Sequence, residues 1–287
     1  MNLLNNPEWL SKYQFPYNDL SDMPQAAFDA INTALDSLPK GEPVVSIIIS
    51  AWNEEVSILK TIASIAHSVS FYPLEIIVVN NNSTDRTQEV LDKLHIRSCF
   101  QLIQGWGPAR QMGLEQASGK YVLLADADCI YPSSWVNHMM QSLSRTGVVC
   151  VYGRYSFIAE PGFPRWKLSL LERLKDAVAA VRQIKRPYLN AYGMSMGFKR
   201  EDALRIGFVM HRIRGEDGRM CYDLMQNGGR VVPVTAAAAR VWTGPRTLQR
   251  DGSFGKALWL RFVKEVRGAA SLFRSLPAHD TKTSLND

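Results

Sequence analysis

From residue 44 onward the chain alternates short apolar runs with longer stretches of mixed polarity. Val44-Val45-Ser46-Ile47-Ile48-Ile49 is almost unbroken and β-branched, the pattern of a parallel strand buried on both faces. Leu74 to Val79 repeats it, Cys99 to Ile103 is a weaker version, and Tyr121 to Ala125 is a fourth. Between these runs, Glu54 to Val69, Thr84 to Leu94 and Pro108 to Ala117 read as helices. The alternation predicts right-handed crossovers and an α/β fold, a doubly wound, mostly parallel sheet flanked by helices. Ligands of such sheets bind beyond the carboxyl ends of the strands.

Residues 1–43 read as an N-terminal extension rich in Asn, Pro and Asp, with one short helix. Ser21 or Asp22 falls near its cap and Pro24 in its first turn, and Ala27, Phe28, Ile31, Leu35 and Leu38 then share a face. Residues 44–250 form the main domain, and 251–287 an amphipathic helix and tail. Two longer helices are predicted. Arg165 to Arg186 carries Trp166, Leu170, Leu174, Ala177, Val178, Val181 and Ile184 on one side. Phe254 to Leu276 carries Leu258, Phe262, Val266, Ala269 and Phe273. Both are rich in Lys and Arg. Each stripe is expected to face a core, with the basic residues in water. The alternative is peripheral docking on an anionic membrane, which needs apolar area plus positive charge.

Composition narrows the class without choosing a function. The 287 residues are 46% hydrophobic and 21% charged, which excludes collagen, coiled coil and a disordered chain. No basic start with an apolar run opens the sequence, and no apolar stretch approaches the length of a membrane span. A cytoplasmic protein is therefore expected, with membrane contact at most peripheral, at the inner face. Cys99, Cys129, Cys150 and Cys221 form no CxxC pair and read as small buried hydrophobes. Charge is uneven: 9 Lys and Arg against 15 Asp and Glu in residues 1–150, then 24 against 12 in residues 151–287. A basic half suits a polyanion, an anionic membrane face or a phosphorylated ligand.

The candidate chemistry collects where the strands end. The first strand runs into Ser50-Ala51-Trp52-Asn53-Glu54, the second into Asn80-Asn81-Asn82-Ser83-Thr84-Asp85, and the fourth into Asp126-Ala127-Asp128. Two carboxylates two residues apart repel, and a hard divalent cation such as Mg²⁺ or Mn²⁺ relieves them. The bland reading of that segment is an Asx-turn. Asn80 to Asp85 suits hydrogen bonds to a base or ribose, and Ser83 or Thr84 also suits a helix cap. Gly105-Trp106-Gly107 imitates a dinucleotide loop, but Arg110 stands at the third glycine position, so these glycines are read as shaping a turn. Glu216-Asp217 opens a helix, where the dipole favours acids whether or not one of them is a general base.

Five segments in order, VSIIISAWNEE, IIVVNNNSTDRT, GPARQMGLEQASGKYVLLADADC, GMSMGFKRE and GEDGRMCYDLMQNGG, resemble the inverting nucleotide-sugar glycosyltransferases of family 2, with the GT-A fold, over roughly residues 44–235. The resemblance implies that Ser50, Ala51, Trp52 and Glu54 hold the nucleotide base. Ser-Ala-Trp stands where many members have Pro-x-Tyr. Asn80 and Asn81 replace the family's two Asp, keeping hydrogen bonds without charge. It further implies that Arg110 lies near the phosphates, and that Asp126 and Asp128 form the DxD motif, the second on the metal. Asp217 is then the catalytic base, with Glu216 orienting it. Arg246, within Trp242-Thr243-Gly244-Pro245-Arg246, matches a diphosphate-contacting arginine. The implied partners are a nucleoside-diphosphate sugar and an acceptor hydroxyl, in polysaccharide biosynthesis or a related setting. No QxxRW motif is present, so a chain-extruding synthase is not expected. A nucleotidyltransferase would leave Glu216-Asp217 without a role, and an inactive sugar-nucleotide-binding module would tolerate its loss. A nucleic-acid binder would need neither acidic motif, and nucleic acid is not expected as a partner.

Overall fold

The β-branched run at residues 45–51 forms β1 (Val45–Ala51), buried along nearly its whole length. In a computed structural model, which describes residues 4–17, 19–210 and 215–249, β1 lies inside a seven-stranded sheet. The helix expected at Phe254 to Leu276, and the 251–287 segment as a whole, lie outside the described residues. Parallel to β1 run β2 (Leu74–Asn80) on one side and β4 (Tyr121–Asp126) on the other, with β3 (Arg97–Phe100) beyond β2. Past β4 come β8 (Met196–Lys199), β6 (Val148–Gly153) and β9 (Arg230–Val234). β8 runs antiparallel to both its neighbours, so the sheet is parallel in all but one strand. A small second sheet holds β5 (Cys129–Ile130), β10 (Val241–Thr243) and β7 (Tyr155–Phe157).

This order puts a switch point between β1 and β4, because the chain leaves β1 for β2 on one side and later returns to the other. Register makes it concrete: Ser50 lies opposite Asp126, and Ala51 opposite Asn80. Three polar strand ends therefore open on one edge of the sheet.

Both faces of the sheet are covered, as continuous apolar strands require. Ile47, Ile49, Val78 and Leu123 pack with α1 (Gln25–Asp36), α2 (Ser57–Ala66) and α5 (Trp135–Leu143). Ile48, Ile77, Val122 and Leu124 pack with α4 (Trp106–Gln116), α7 (Arg200–Ile206) and α8 (Glu216–Gln226). The segment before β1 joins the first of these cores through Leu10, Tyr13, Phe28, Ile31 and Leu35. Its helix starts after Pro24, which occupies the cap position itself.

Two helices begin three residues later than their pattern suggests, for one shared reason. The loops after β1 and β2 bond to each other. Asn53, at φ 54, donates its N–H to Ser83 Oγ (3.0 Å), and its Oδ1 accepts from Thr84 N–H (2.8 Å). Glu54 N–H donates to Thr87 Oγ1 at 2.9 Å, so α2 starts only at Ser57. At α3 (Thr87–Asp92) neither Ser83 nor Thr84 caps; Asp85 Oδ1 accepts from Thr87 N–H at 3.0 Å.

The larger correction concerns α6 (Arg165–Lys185), whose apolar stripe was expected to face a core. Trp166, Leu170, Leu174, Val181 and Ile184 are instead exposed. The face turned inward carries Arg165, Leu168, Leu171 and Glu172. Charge decides this. Glu172 accepts from Ser156 Oγ (2.9 Å), Phe157 N–H (2.8 Å) and the Arg165 guanidinium (2.7 and 2.9 Å), and Arg165 lies 5.0 Å over the Trp242 ring. A buried ion pair whose carboxylate also accepts from Ser156 and Phe157 fixes which way the helix faces.

Candidate functional site

At the switch point the three strand ends line a cleft of about 370 Å³. Ser50, Ala51, Trp52, Glu54, Asn81, Asp126, Asp128 and Arg246, all singled out from the sequence, border it. Gln104, Gly105, Trp106 and Ala127 border it too, where the sequence marked Gly105 and Trp106 only as part of a turn and assigned no ligand role to Gln104 or Ala127. The missed signal was Trp106, a half-exposed aromatic at the mouth of α4, directly after β3. Trp52 is exposed to a similar degree on the opposing loop, so the cleft carries two aromatic faces. Ser50 Oγ is shielded from solvent and has no hydrogen-bond partner among the described residues. A buried hydroxyl in that state, bordering a cleft, is suited to a ligand.

Asn80 and Asn81 have structural work in place. Asn80 donates to Gln88 Oε1 (2.8 Å) and accepts from Ser83 N–H (3.0 Å). Asn81 accepts from Gly105 N–H (2.7 Å) and donates to Ile103 O (2.8 Å), so it holds the loop that presents Trp106. Asn can make both contacts because it carries a donor and an acceptor, where Asp would offer acceptors alone.

The DxD segment is rigidly seated. Thr61 Oγ1 lies 2.8 Å from Ala127 O and 2.7 Å from Cys129 O. Asp126 N–H donates to the buried Tyr131 hydroxyl at 2.9 Å, which itself donates to Met194 O. Asp126, Asp128 and Cys129 bring their ligand atoms within 4.8 Å of one another. Burial pushes the Asp126 carboxyl up to about 6; Arg110 pulls against this, while Asp128 and Glu216 add to it. Crowded hard oxygens of this kind fit Mg²⁺ or Mn²⁺. Cys129 is buried beside them, and its soft sulfur suits a hard cation less well than the two carboxylates do. Arg246 marks the place of positive charge: its Nη2 lies 2.8 Å from Asp128 Oδ2 and 2.9 Å from Glu54 Oε2. Behind that bridge lies a second cavity of about 430 Å³, bordered by Lys60, Asp85 and Glu160.

Arg110, Glu216 and Asp217 do not border the cleft. They form a buried knot beside Asp126. The Arg110 guanidinium pairs with Glu216 Oε1 and Asp217 Oδ1, and its Nη2 lies 3.4 Å from Asp126 Oδ1. Asp217 Oδ2 accepts from Gly193 N–H at 2.9 Å. A Cβ on Gly193 would sit 1.8 Å from Arg110 Nη2, so only glycine lets the guanidinium lie there. Gly215, at φ 94, turns the chain into α8 and delivers both acids at the helix start. One guanidinium thus joins the end of β4 to the start of α8. Arg110 serves the acids here rather than facing the cleft.

Comparison with known proteins agrees with this architecture. A sequence model of Glycosyl transferase family 2 matches residues 46–207. Glycosyltransferase AglE of Haloferax volcanii is 34% identical over 125 residues, covering 40% of this chain and 40% of that protein. The GalNAc(5)-diNAcBac-PP-undecaprenol beta-1,3-glucosyltransferase of Campylobacter jejuni is 35% identical over 118 residues, covering 39% and 38%. The match thus spans about two fifths of the length of these relatives. Among solved structures, the mannosyltransferase PcManGT from Pyrobaculum calidifontis, in complex with GDP-Man and Mn²⁺, superposes with a TM-score of 0.54. That alignment covers 85% of this chain and 76% of the other at 18% identity, a likeness of fold, here GT-A.

Proposed function

This chain belongs to glycosyl transferase family 2, and we propose that it moves a sugar, with inversion, from a nucleoside-diphosphate sugar to an acceptor hydroxyl. The observation that carries the reading is the Arg110 knot. It sets Asp217 beside Asp126, so a base and a DxD carboxylate meet at one point although they lie far apart in the chain.

The roles follow from placement. Trp52 and Trp106 offer faces for a base, and Ser50 Oγ a hydrogen bond. Asp126 and Asp128 would hold Mg²⁺ or Mn²⁺, which offsets the charge gathering on a departing diphosphate. Arg246, half-exposed at the rim, is placed to turn from Glu54 and Asp128 to phosphate oxygens. The acceptor hydroxyl attacks the anomeric carbon in line with the leaving diphosphate, and Asp217 takes its proton. Arg110 and the Gly193 N–H hold that carboxylate in place and aimed. The name of the Campylobacter relative includes a PP-undecaprenol group. A lipid-linked acceptor of that kind would place this protein in the cytoplasm, at the inner face of the membrane.

Titration calorimetry with UDP and GDP, each with and without Mn²⁺, tests the donor site, and a screen of nucleotide sugars for metal-dependent turnover tests the reaction. Metal-dependent binding of one nucleotide with turnover of its sugar is expected. Binding without turnover on any acceptor would leave a sugar-nucleotide-binding module, and no binding would remove the reading altogether.

A further inference from the structure

α6 turns Leu168 and Leu171 inward in its first half, but its long apolar stripe faces out. A helix on a protein surface ordinarily turns its apolar stripe inward. Here the contacts toward the protein in the second half of α6 are polar: Gln183 donates to Val231 O (2.8 Å) and accepts from Tyr152 OH (2.6 Å), and Asp176 meets Arg154 and Arg240. The outward face holds Trp166, Leu170, Leu174, Val181 and Ile184, the last 80% exposed. These are five of the fifteen large hydrophobic residues exposed among the described residues, gathered along roughly 27 Å of one helix. A contiguous apolar face of that length marks an interaction surface.

We propose that this face of α6 is a membrane-docking surface for anionic lipid, on which the helix lies flat. The proposal rests on the reading above that the acceptor is membrane-borne, and it names the surface that would bring the site to it. Charge selects the occupant. The only acids of α6, Glu172 and Asp176, are turned inward onto arginines, whereas Arg173 and Lys185 are exposed beside the stripe. The outer face therefore presents hydrocarbon and positive charge together, with Trp166 at one end, which is what an interfacial helix offers to anionic headgroups. A second copy of the same face would set Arg173 and Lys185 against their own kind. Residues 250–287, with seven Lys and Arg against four Asp and Glu, are also of like sign. No described helix is long and apolar enough to cross a membrane, consistent with lying on one. From its C-terminal end the chain runs through residues 187–190 to Gly193, which holds Asp217.

The test is co-sedimentation of the full chain with vesicles of phosphatidylcholine, with and without phosphatidylglycerol. Two double variants are added, Leu170→Glu with Ile184→Glu, and Arg173→Glu with Lys185→Glu. Wild type should bind the anionic vesicles, less so as salt rises. Each double variant should lose about tenfold or more in affinity while keeping its melting temperature and elution volume. Wild type left in the supernatant, or an apolar double variant that still binds as wild type does, overturns the proposal. So does a variant that melts earlier or changes oligomeric state, since its stripe would then be covered by protein. Calorimetry with nucleotide and Mn²⁺ on the same samples reads the donor site separately. Vesicle binding can fail while nucleotide binding stands, and the reverse.

Discussion

Two arginines each bridge carboxylates at this site, and their surroundings make them different devices. Arg110 has 5% of its side chain exposed and is closed in by Asp126, Glu216, Asp217 and the backbone of Gly193. Arg246 has 50% exposed and bridges Glu54 and Asp128 at the rim of the cleft. Removing one partner of a buried charge cluster leaves uncompensated charge in a poor solvent, whereas water covers the loss at an exposed one. The first arrangement is a fixture that holds the proposed base in place. The second is exchangeable, since a metal ion or a phosphate can take over either half of it.

The fixture is broken most severely in function by changing the acid proposed as base. Asp217→Asn keeps the shape and can still accept from Gly193 N–H, but it cannot take a proton. Turnover should fall by roughly a hundred- to ten-thousand-fold, with nucleotide affinity unchanged. Steady-state kinetics beside calorimetry reads the two separately, and unchanged turnover would move the base elsewhere, with Glu216 the next candidate.

Arg110→Met breaks the same fixture in stability. Three carboxylates would be left together without their cation, at an expected cost of about 3–5 kcal/mol in denaturant unfolding. The sign of its pH dependence follows. Burial already pushes the Asp126 carboxyl up to about 6 against the pull of Arg110, so without the guanidinium its folded-state pKa rises further above the unfolded value. The folded variant then binds the extra protons, and stability is lost as pH rises through the raised pKa. The deficit against wild type should therefore shrink in mild acid. A deficit that grows on acidification would show that the acids are not what Arg110 holds.

How much of this could be read from the sequence differs with the physics behind each part. β1, β2 and β4 were legible because strands buried on both faces leave unbroken apolar runs, and polar residues at their ends then point to one edge. β8 was not, since Met196-Gly197-Phe198-Lys199 is too short to stand out. The cleft residues after β1 and β4 were legible for the same reason as the strands. Gln104 and Trp106 were hidden because the loop carrying them is held by Asn81, a contact between distant segments that no local pattern encodes. The α6 stripe was found, but its direction was misread. Periodicity says that seven residues share a face; which face turns inward depended on Glu172 meeting Arg165, Ser156 and Phe157 in three dimensions.

The exchangeable arrangement is sharpened at its acid. Asp128→Ala removes the residue shared between Arg246 and the proposed metal. Because even residues that merely orient a ligand matter about ten- to a hundredfold for metal affinity, the loss in Mn²⁺-dependent nucleotide binding should reach at least about tenfold. Binding measured without metal should change little. Equal affinity in the variant and wild type with Mn²⁺ present would take the metal away from this pair.

The smallest effect belongs to Arg246, and its smallness is the point of the comparison. Arg246→Gln breaks two ion pairs, as many charge contacts as a buried cluster often holds, yet both lie at a half-exposed rim. Unfolding free energy should change by less than about 1 kcal/mol. Molar salt, which shortens the screening length to about 3 Å, should reduce even that. Burial pushes the Glu54 carboxyl up and Arg246 offsets part of that, so the variant should leave Glu54 easier to protonate. Nucleotide affinity is the quantity expected to move, by about tenfold, as a charge-assisted hydrogen bond to phosphate is lost. A large stability loss with unchanged nucleotide affinity would invert the assignment and make Arg246 a second fixture like Arg110.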